Sequence, residues 1–543
     1  MATNSSSPEA HANQTELGKL LAAQGKLTEA EVVLREVLTR SPHDAVATSH
    51  LARVLLGLNR RHEALQLIDG FLLSNNTSGA PDLLLLRAQV LALLQLFPAA
   101  VSAFRQAIDA APFNGTAELG LAMALGESGQ VAHAELAARQ AIAKGADSPG
   151  TRYVLGRALC DARRFDDAEA EFRHVLRLQM DHPAAHASLA ELIWMRTGDL
   201  ARATAELDVA LSREPELAGL RITKAKLLDS AGHPEHALAE LDKGLSGSPQ
   251  NPALHLAATQ TLIPIDPARA LWHAQRCIAL ASSDPTALGA YADALLATNQ
   301  ANEAAVVASR LHDLNPNDSH AIAVLATAWR RLGDTRYRAL YDYANFVKTS
   351  TIDVPEGWTN LEDYLEDLAY CLHRQHQFHA HPIHQSVRSG TQISHHLSDL
   401  QDAPIRAFAK AVDGPIRRYI AALGKGVDFL RRRNIGNYRL NGLWSVRVRP
   451  DGHHLSHYHG KGWLSSACYI ELPKSMNNPG GGGWLKFGEP AISGRDSMGP
   501  EYFIRPQLGM LVLFPSWMWH ATVPFSGDPE ERRLTMAFDV VST

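Results

Sequence analysis

The chain has 543 residues, more than one ordinary core accommodates, so two or more domains are expected. Its 45% hydrophobic and 20% charged composition is that of a globular protein, and the formal net charge of -5 leaves no basic footprint, which removes nucleic acid as the default partner. Four widely separated cysteines, Cys160, Cys277, Cys371 and Cys468, form no CxxC pair, which argues against a disulfide framework or a cysteine-ligated zinc and points to a reducing, cytoplasmic setting.

The opening MATNSSSPEAHANQ has neither a basic nor an apolar segment of the signal-peptide kind, and residues 1–11 read as a short disordered tail. The most apolar stretch, LLLLRAQVLALLQLF, is interrupted by Arg87 and Gln89, so no membrane span is expected. From about residue 12 to 340 the sequence repeats. An alanine recurs at Ala30, Ala64, Ala100, Ala134, Ala168, Ala203, Ala237, Ala270 and Ala304, at intervals of 33 to 36 residues. Five positions earlier stand turn-tolerant residues such as Gly25, Gly129, Gly198 and Gly232, where paired helices must reverse. Pro42, Pro249 and Pro316 follow second helices that they cannot continue. The small alanines let helices approach, while side chains such as Phe104 and Phe172, four residues on, fill the seams. This period of about 34 resembles the tetratricopeptide family, over some nine to ten repeats. Each repeat buries its apolar face only by stacking on the next, and the resemblance implies a superhelix whose concave surface binds an extended peptide or a partner protein. A pure spacer or dimerisation array is the alternative.

Past residue 340 the pattern changes. WRRLGDTRYRALYDYANFV reads as a last repeat or capping helix, and TSTIDVPEGW ends it, so residues 341–360 are taken as a linker or cap. NLEDYLEDLAYCLHRQHQF predicts one amphipathic helix and DAPIRAFAKAVDGPIRRYIAAL one or two more. Beyond Asn437 the period becomes two, in LWSVRVRP, LSSACYIELP, GWLKFGEP, EYFIRP, GMLVLFP and RRLTMAFDVV. The run Gly480 to Gly483 marks a tight hairpin. Six or more short strands after a few helices predict an antiparallel double-stranded β-helix of jelly-roll or cupin-like shape over 361–543. The whole is an α+β multidomain chain: an N-terminal all-α solenoid, then the β-helix with flanking helices.

Candidate chemistry sits in this last part. His457 and His459, at i and i+2, share a face if their segment is extended, and His520 lies 63 residues later at the start of another strand. Two ligands from one strand end and one from a distant strand make an open, three-sided metal site. Neutral imidazoles suit iron, zinc or copper alike. The plain alternative is a barrel mouth with surface histidines, in a chain carrying 26.

HYHGKGWLSSACYIELP, GGGGWLKFGEP, IRPQLGMLVLFPSWMWHATVPF and ERRLTMAFDV together resemble the iron(II)/2-oxoglutarate-dependent oxygenases, in a branch related to the prolyl 4-hydroxylases. HPIHQSVRSGTQISHHL, residues 381–397, resembles an upstream segment of that branch, so the likeness covers about 340 to 541. The resemblance implies iron(II), 2-oxoglutarate and dioxygen, with hydroxylation of a protein or peptide brought by the repeats. In the superfamily an H-x-D/E pair and a distal histidine hold the metal. Position by position, His457 is the first ligand, His520 the distal one, and His459 stands where the carboxylate would be, which implies a three-histidine variant. Arg533 falls where a basic residue grips the far carboxylate of 2-oxoglutarate, and Thr535 matches the Ser/Thr two positions on. Arg532 is the rival anchor; strand alternation favours Arg533, which shares a face with Thr535 and Ala537, opposite Leu534, Met536 and Phe538. Tyr469 either reaches the cosubstrate from the next strand or packs in the core. His453 and His454 read as loop residues or supports behind the ligands, and no catalytic side chain beyond the ligands is assigned. Two other functions are carried alongside: an interaction scaffold with a silent oxygenase-like module, and a three-histidine dioxygenase that does not use 2-oxoglutarate.

Overall fold

A computed structural model describes residues 8–75, 80–383, 385–396, 402–477, 481–492 and 498–543. Gly480 of the glycine run, His384 and Leu397 of the upstream segment, and residues 1–7 of the opening lie outside the described residues. The first helix is Pro8–Ala23, so it starts within the stretch read as a tail; proline at its start has a φ already suited to a first turn. Contacts divide the chain into two compact units, one up to Gln179 and one from Met180 onward.

The first unit is five helical hairpins, from Pro8–Ala23 with Leu27–Arg40 to Pro149–Asp161 with Phe165–Leu178. The recurring alanines explain the packing: Ala30, Ala64, Ala100 and Ala168 are each 0% exposed. Gly120 and Gly156 receive the rings of Phe104 and Phe172, where an added Cβ would lie 2.2 and 2.6 Å from the nearest ring atom. The turn five residues before each alanine is left-handed throughout this unit, at Gly25 and Gly129 and also at Asn59, Gln95 and Arg163.

The second unit continues with four hairpins, Pro183–Thr197 through Ala301–Leu314, and a single helix, Ser319–Leu332. First helices of successive hairpins touch one another, Pro183–Thr197 against Ala218–Ser230 and so on to Ser319–Leu332, and so form the inner, more tightly curved wall. Within one hairpin, between the helices Pro252–Leu262 and Pro267–Leu280, His255 and His273 face each other, Nδ1 to Nδ1 at 3.0 Å, both buried. That contact requires one neutral imidazole, and burial followed by the His255 field pushes His273 down to about 4. Because the folded value lies below the ordinary His value of 6.5, the stability it carries is present above pH 6.5 and falls as the pH drops toward 4. Thermal melts between pH 7 and 4 should therefore fall less steeply for His273→Leu than for wild type; equal slopes would remove this pair from the acid sensitivity.

Among the described residues nine strands follow in the same unit: β1 (Lys348–Thr351), β2 (Val387–Ser394), β3 (Tyr438–His454), β4 (Leu464–Glu471), β5 (Leu485–Phe487), β6 (Tyr502–Ile504), β7 (Met510–Pro515), β8 (His520–Thr522) and β9 (Arg533–Ser542). They form an antiparallel six-stranded sheet, order β1-β7-β4-β9-β3-β2, and a three-stranded sheet, order β6-β5-β8. Phe487 of β5 packs edge-on against Phe514 of β7, 5.0 Å between centroids, so the two sheets share one interior. On the outer face of the large sheet, Phe408 of the helix Ala403–Leu423 meets Phe538 of β9. That helix is continuous through Pro415. The six strands read from alternation are present; β1 falls in the stretch read as a linker or cap, and β2 in the upstream segment 381–397, where no strand is predicted.

The stretch read as a linker over 341–360 is part of the packed unit. One hydrophobic core includes Ile322, Val324, Leu325 and Trp329 of the last repeat helix together with Tyr341, Phe346, Leu513, Trp517 and Phe538. The helix Ser319–Leu332 is apolar nearly all round, as a helix covered on all sides must be. A short segment also crosses back onto the inner wall: the His379 and Ala380 amides donate to Met195 O, the Trp194 indole donates to His381 O, and the Ile383 amide donates to Glu191. The carbonyls of Met195 and of Ser230, which meets the His381 ring, belong to the last turns of their helices. Among the described residues no helix is long and apolar enough to cross a membrane. Cys160, Cys277, Cys371 and Cys468 form no disulfide among the described residues.

Candidate metal centre

His457 lies just beyond β3, and backbone bonds fasten it to the opposite segment: its amide donates to His520 O at 3.0 Å and the His520 amide returns to His457 O at 2.9 Å. The His459 amide donates to Ser516 O. Two residues apart on an extended segment, His457 and His459 present their rings to one side, and β8 brings in His520. One ligand atom from each of the three lies within 4.8 Å of the others. Tyr458, pointing the other way, stacks on His320 and meets Trp519 edge-on. Trp517 and Trp519 also turn from the histidines toward the repeats, their indoles donating to Leu340 O and Thr327 Oγ1.

Hydrogen bonds set the state of each ring. His457 Nδ1 meets Leu455 O at 2.8 Å, His520 Nδ1 meets Met518 O at 2.9 Å, and His459 Nδ1 meets Asp539 Oδ1 at 2.5 Å. Every partner is an acceptor, so each Nδ1 carries a proton and Nε2 is the nitrogen left to face a metal. Burial pushes His457 down to about 3 and His520 well below the ordinary range, so both are neutral at pH 7. The three Nε2 donors thus fit a divalent transition metal, and they leave the remaining coordination positions open.

A second feature lies next to it. β9 sits between β3 and β4, and its inward face carries Arg533, Thr535, Ala537 and Asp539 in alternation. Arg533 is 1% exposed; its guanidinium donates to Gly483 O and Thr522 Oγ1, while Nε has no partner. Among the described residues no carboxylate pairs with it, and burial lowers its proton affinity. Thr535 pairs in register with Tyr469 of β4, whose buried hydroxyl is pushed up to about 12. Arg532 instead turns into its own hairpin, donating to Pro529 O and Glu531 O. A buried guanidinium with an orphaned donor fits a carboxylate ligand.

The fold brings together His457, His459 and His520 and buries Arg533 near them, and beside them it sets Asp539, Ser465 and Ser386, which the sequence did not single out. Asp539 lay within reach, because the parity that puts Arg533, Thr535 and Ala537 on one face puts Asp539 there too. Ser386, which bonds both His454 Nδ1 at 3.0 Å and His457 Nε2 at 3.3 Å, carries no local signal. His454, read as a support, is half-buried and its amide donates to Thr522 Oγ1.

No curated protein matches this chain. Among solved structures, a tetratricopeptide repeat protein from Parabacteroides merdae ATCC 43184 is similar at 17% identity over 47% of this chain and 99% of its own, with a TM-score of 0.38. Yeast Tom70 is similar at 13% identity over 68% of this chain and 90% of its own, TM-score 0.38. A thermophilic tetratricopeptide protein of Thermus thermophilus is similar at 22% identity over 34% of this chain and 99% of its own, TM-score 0.29. Residues 21–90, 94–149 and 127–192 match families described as "Tetratricopeptide repeat", and residues 442–539 match the family described as "Putative 2OG-Fe(II) oxygenase". The chain is therefore built of tetratricopeptide repeats followed, at the C-terminus, by a domain of that oxygenase family.

Proposed function

We propose that this protein is an iron(II)- and 2-oxoglutarate-dependent dioxygenase that hydroxylates a protein or peptide recruited by its repeats, in a reducing, cytoplasmic setting. In this reading His457, His459 and His520 hold the metal, Arg533 takes the far carboxylate of 2-oxoglutarate, and Thr535 and Tyr469 line that pocket. The observation that carries it is Arg533: a buried, unpaired cation on the strand face that also leads to the histidines. When bound, iron(II), 2-oxoglutarate and dioxygen supply the oxidising chemistry, with release of succinate and carbon dioxide.

The chain's own share is positioning. Three imidazoles held by Nδ1 hydrogen bonds fix the metal-facing nitrogens without reorganisation on binding. The guanidinium fixes one end of the cosubstrate at a set distance from the metal, and the apolar shell around His520, including Phe514 and Phe487, keeps water from that side. Peptide recruitment rests on the tetratricopeptide inner wall of the first unit, because part of the second unit's wall is covered by residues 379–383.

Succinate release from 2-oxoglutarate with added iron(II), compared between wild type and His520→Ala, tests this. Turnover in wild type and at least a hundredfold loss in the variant are expected. A wild-type protein that binds no metal and releases no succinate, even uncoupled, would mean a silent module on an interaction scaffold. A three-histidine dioxygenase independent of 2-oxoglutarate is the second reading, favoured by a ligand cluster that, among the described residues, is made of His457, His459 and His520 without a carboxylate. Oxygen consumption that is indifferent to 2-oxoglutarate would select it.

A further inference from the structure

His459 stands where a metal-ligating carboxylate is expected, and removing that carboxylate takes one negative charge from the centre. A carboxylate nevertheless lies directly behind it. Asp539 Oδ1 accepts from His459 Nδ1 at 2.5 Å and from the Ser465 hydroxyl at 2.7 Å, and Ser465 and Ser516 hydroxyls are 2.9 Å apart. The loop is pressed onto this group: a Cβ on Gly462 would lie 2.2 Å from Ser516 Oγ and 3.2 Å from the Asp539 carboxyl carbon. Asp539 is 7% exposed, and among the described residues no lysine or arginine pairs with it. A buried carboxylate without a cation is costly unless positive charge lies close by. A metal on the far nitrogen of His459 is such a charge, one ring away.

We propose that Asp539 is the positioning residue of the metal centre, a carboxylate that has moved from coordinating the metal to hydrogen-bonding a ligand, so that the site keeps its negative charge while gaining an imidazole. The inference rests on the three-histidine reading given above. It explains why Asp539 and Arg533 lie on one strand face: each buried charge is completed by a ligand the chain itself does not supply, a cation for Asp539 and a carboxylate for Arg533.

The test uses metal-free full-length protein titrated with cobalt(II) by calorimetry, with the cobalt visible spectrum as a second readout. Asp539→Asn keeps an acceptor for the His459 proton and nearly the same volume but drops the charge. It should weaken cobalt(II) binding by about 10- to 100-fold and shift the visible bands, with the metal-free melting temperature not lowered. His459→Asp sets two carboxylates against each other and should bind more weakly than wild type, whereas the double variant His459→Asp with Asp539→Asn, which again holds one negative charge, should regain affinity over His459→Asp alone. Cobalt(II) bound by Asp539→Asn as tightly as by wild type, with an unchanged spectrum, overturns the role of Asp539 and leaves the three-histidine site standing. A wild-type protein that binds no cobalt(II) overturns both.

Discussion

Arg533→Met should leave the cosubstrate-free protein at least as stable as wild type while abolishing its stabilisation by 2-oxoglutarate. Both effects come from one arrangement. The guanidinium is fully buried, its Nε lacks a partner, and its remaining donors reach only a carbonyl and a hydroxyl. An uncompensated buried charge is a cost to the folded state, so an apolar side chain of similar length removes that cost. With a carboxylate bound the balance reverses, because breaking a buried charge pair costs about 3 to 5 kcal/mol, roughly a hundredfold to several thousandfold in affinity. Ligand at one hundred times its Kd stabilises a protein by about 2.7 kcal/mol, and the variant should lose that whole increment at the same concentration. Differential scanning with and without 2-oxoglutarate reads both. Arg532→Met serves as the control, since that side chain is tied to its own hairpin and should bind cosubstrate as wild type does. An Arg533→Met protein that 2-oxoglutarate still stabilises would sink the anchor assignment.

Cutting the chain at residue 340 should destroy the oxygenase region, whereas cutting before Met180 should leave it folded and able to bind metal. The helix Ser319–Leu332 contributes Ile322, Val324, Leu325 and Trp329 to the core that holds Leu513, Trp517 and Phe538. Burying side chains of this kind is worth about 1.5 to 3 kcal/mol each, so losing four of them approaches the whole stability of a domain, about 5 to 15 kcal/mol. Polar contacts go with them. Thr327 Oγ1 accepts from the Trp519 indole, next to His520, and Arg330 donates to Gly488 O and Gly499 O and pairs with Glu501. Residues 341–543 should therefore be insoluble or show no cooperative melt, and residues 180–543 should melt cooperatively and bind cobalt(II). A cooperative melt of 341–543 would show that the repeat helix is dispensable.

Much of the architecture is written locally. A 34-residue alanine period announces the hairpins because each repeat must solve the same close-packing problem, and Ala30, Ala64, Ala100 and Ala168 indeed have no exposed surface. Alternation announces β3, β4, β7 and β9 because a strand between two layers must sort its side chains by face, and the same parity separates Arg533 from Arg532. His457 and His459 could be paired for the same reason. Other features arise only when distant segments meet. β1 and β2 are mostly polar, and they exist as strands because β7 and β3 offer hydrogen-bonding edges. Residues 379–383 have no strand or helix pattern and are ordered by last-turn carbonyls of helices far earlier in the chain.

Residue types and their periodicities thus determined the repeat solenoid, the antiparallel sheets, the histidine pair and the preference for Arg533, since each follows from contacts between near neighbours in the chain. Only the tertiary structure decided that the last repeat helix belongs to the oxygenase core and that Asp539 stands behind His459, 80 residues away. Both depend on burial, which is a property of the assembled fold: an aspartate on an isolated strand is one more polar residue, and it becomes an uncompensated charge beside a candidate ligand only when the sheets close around it.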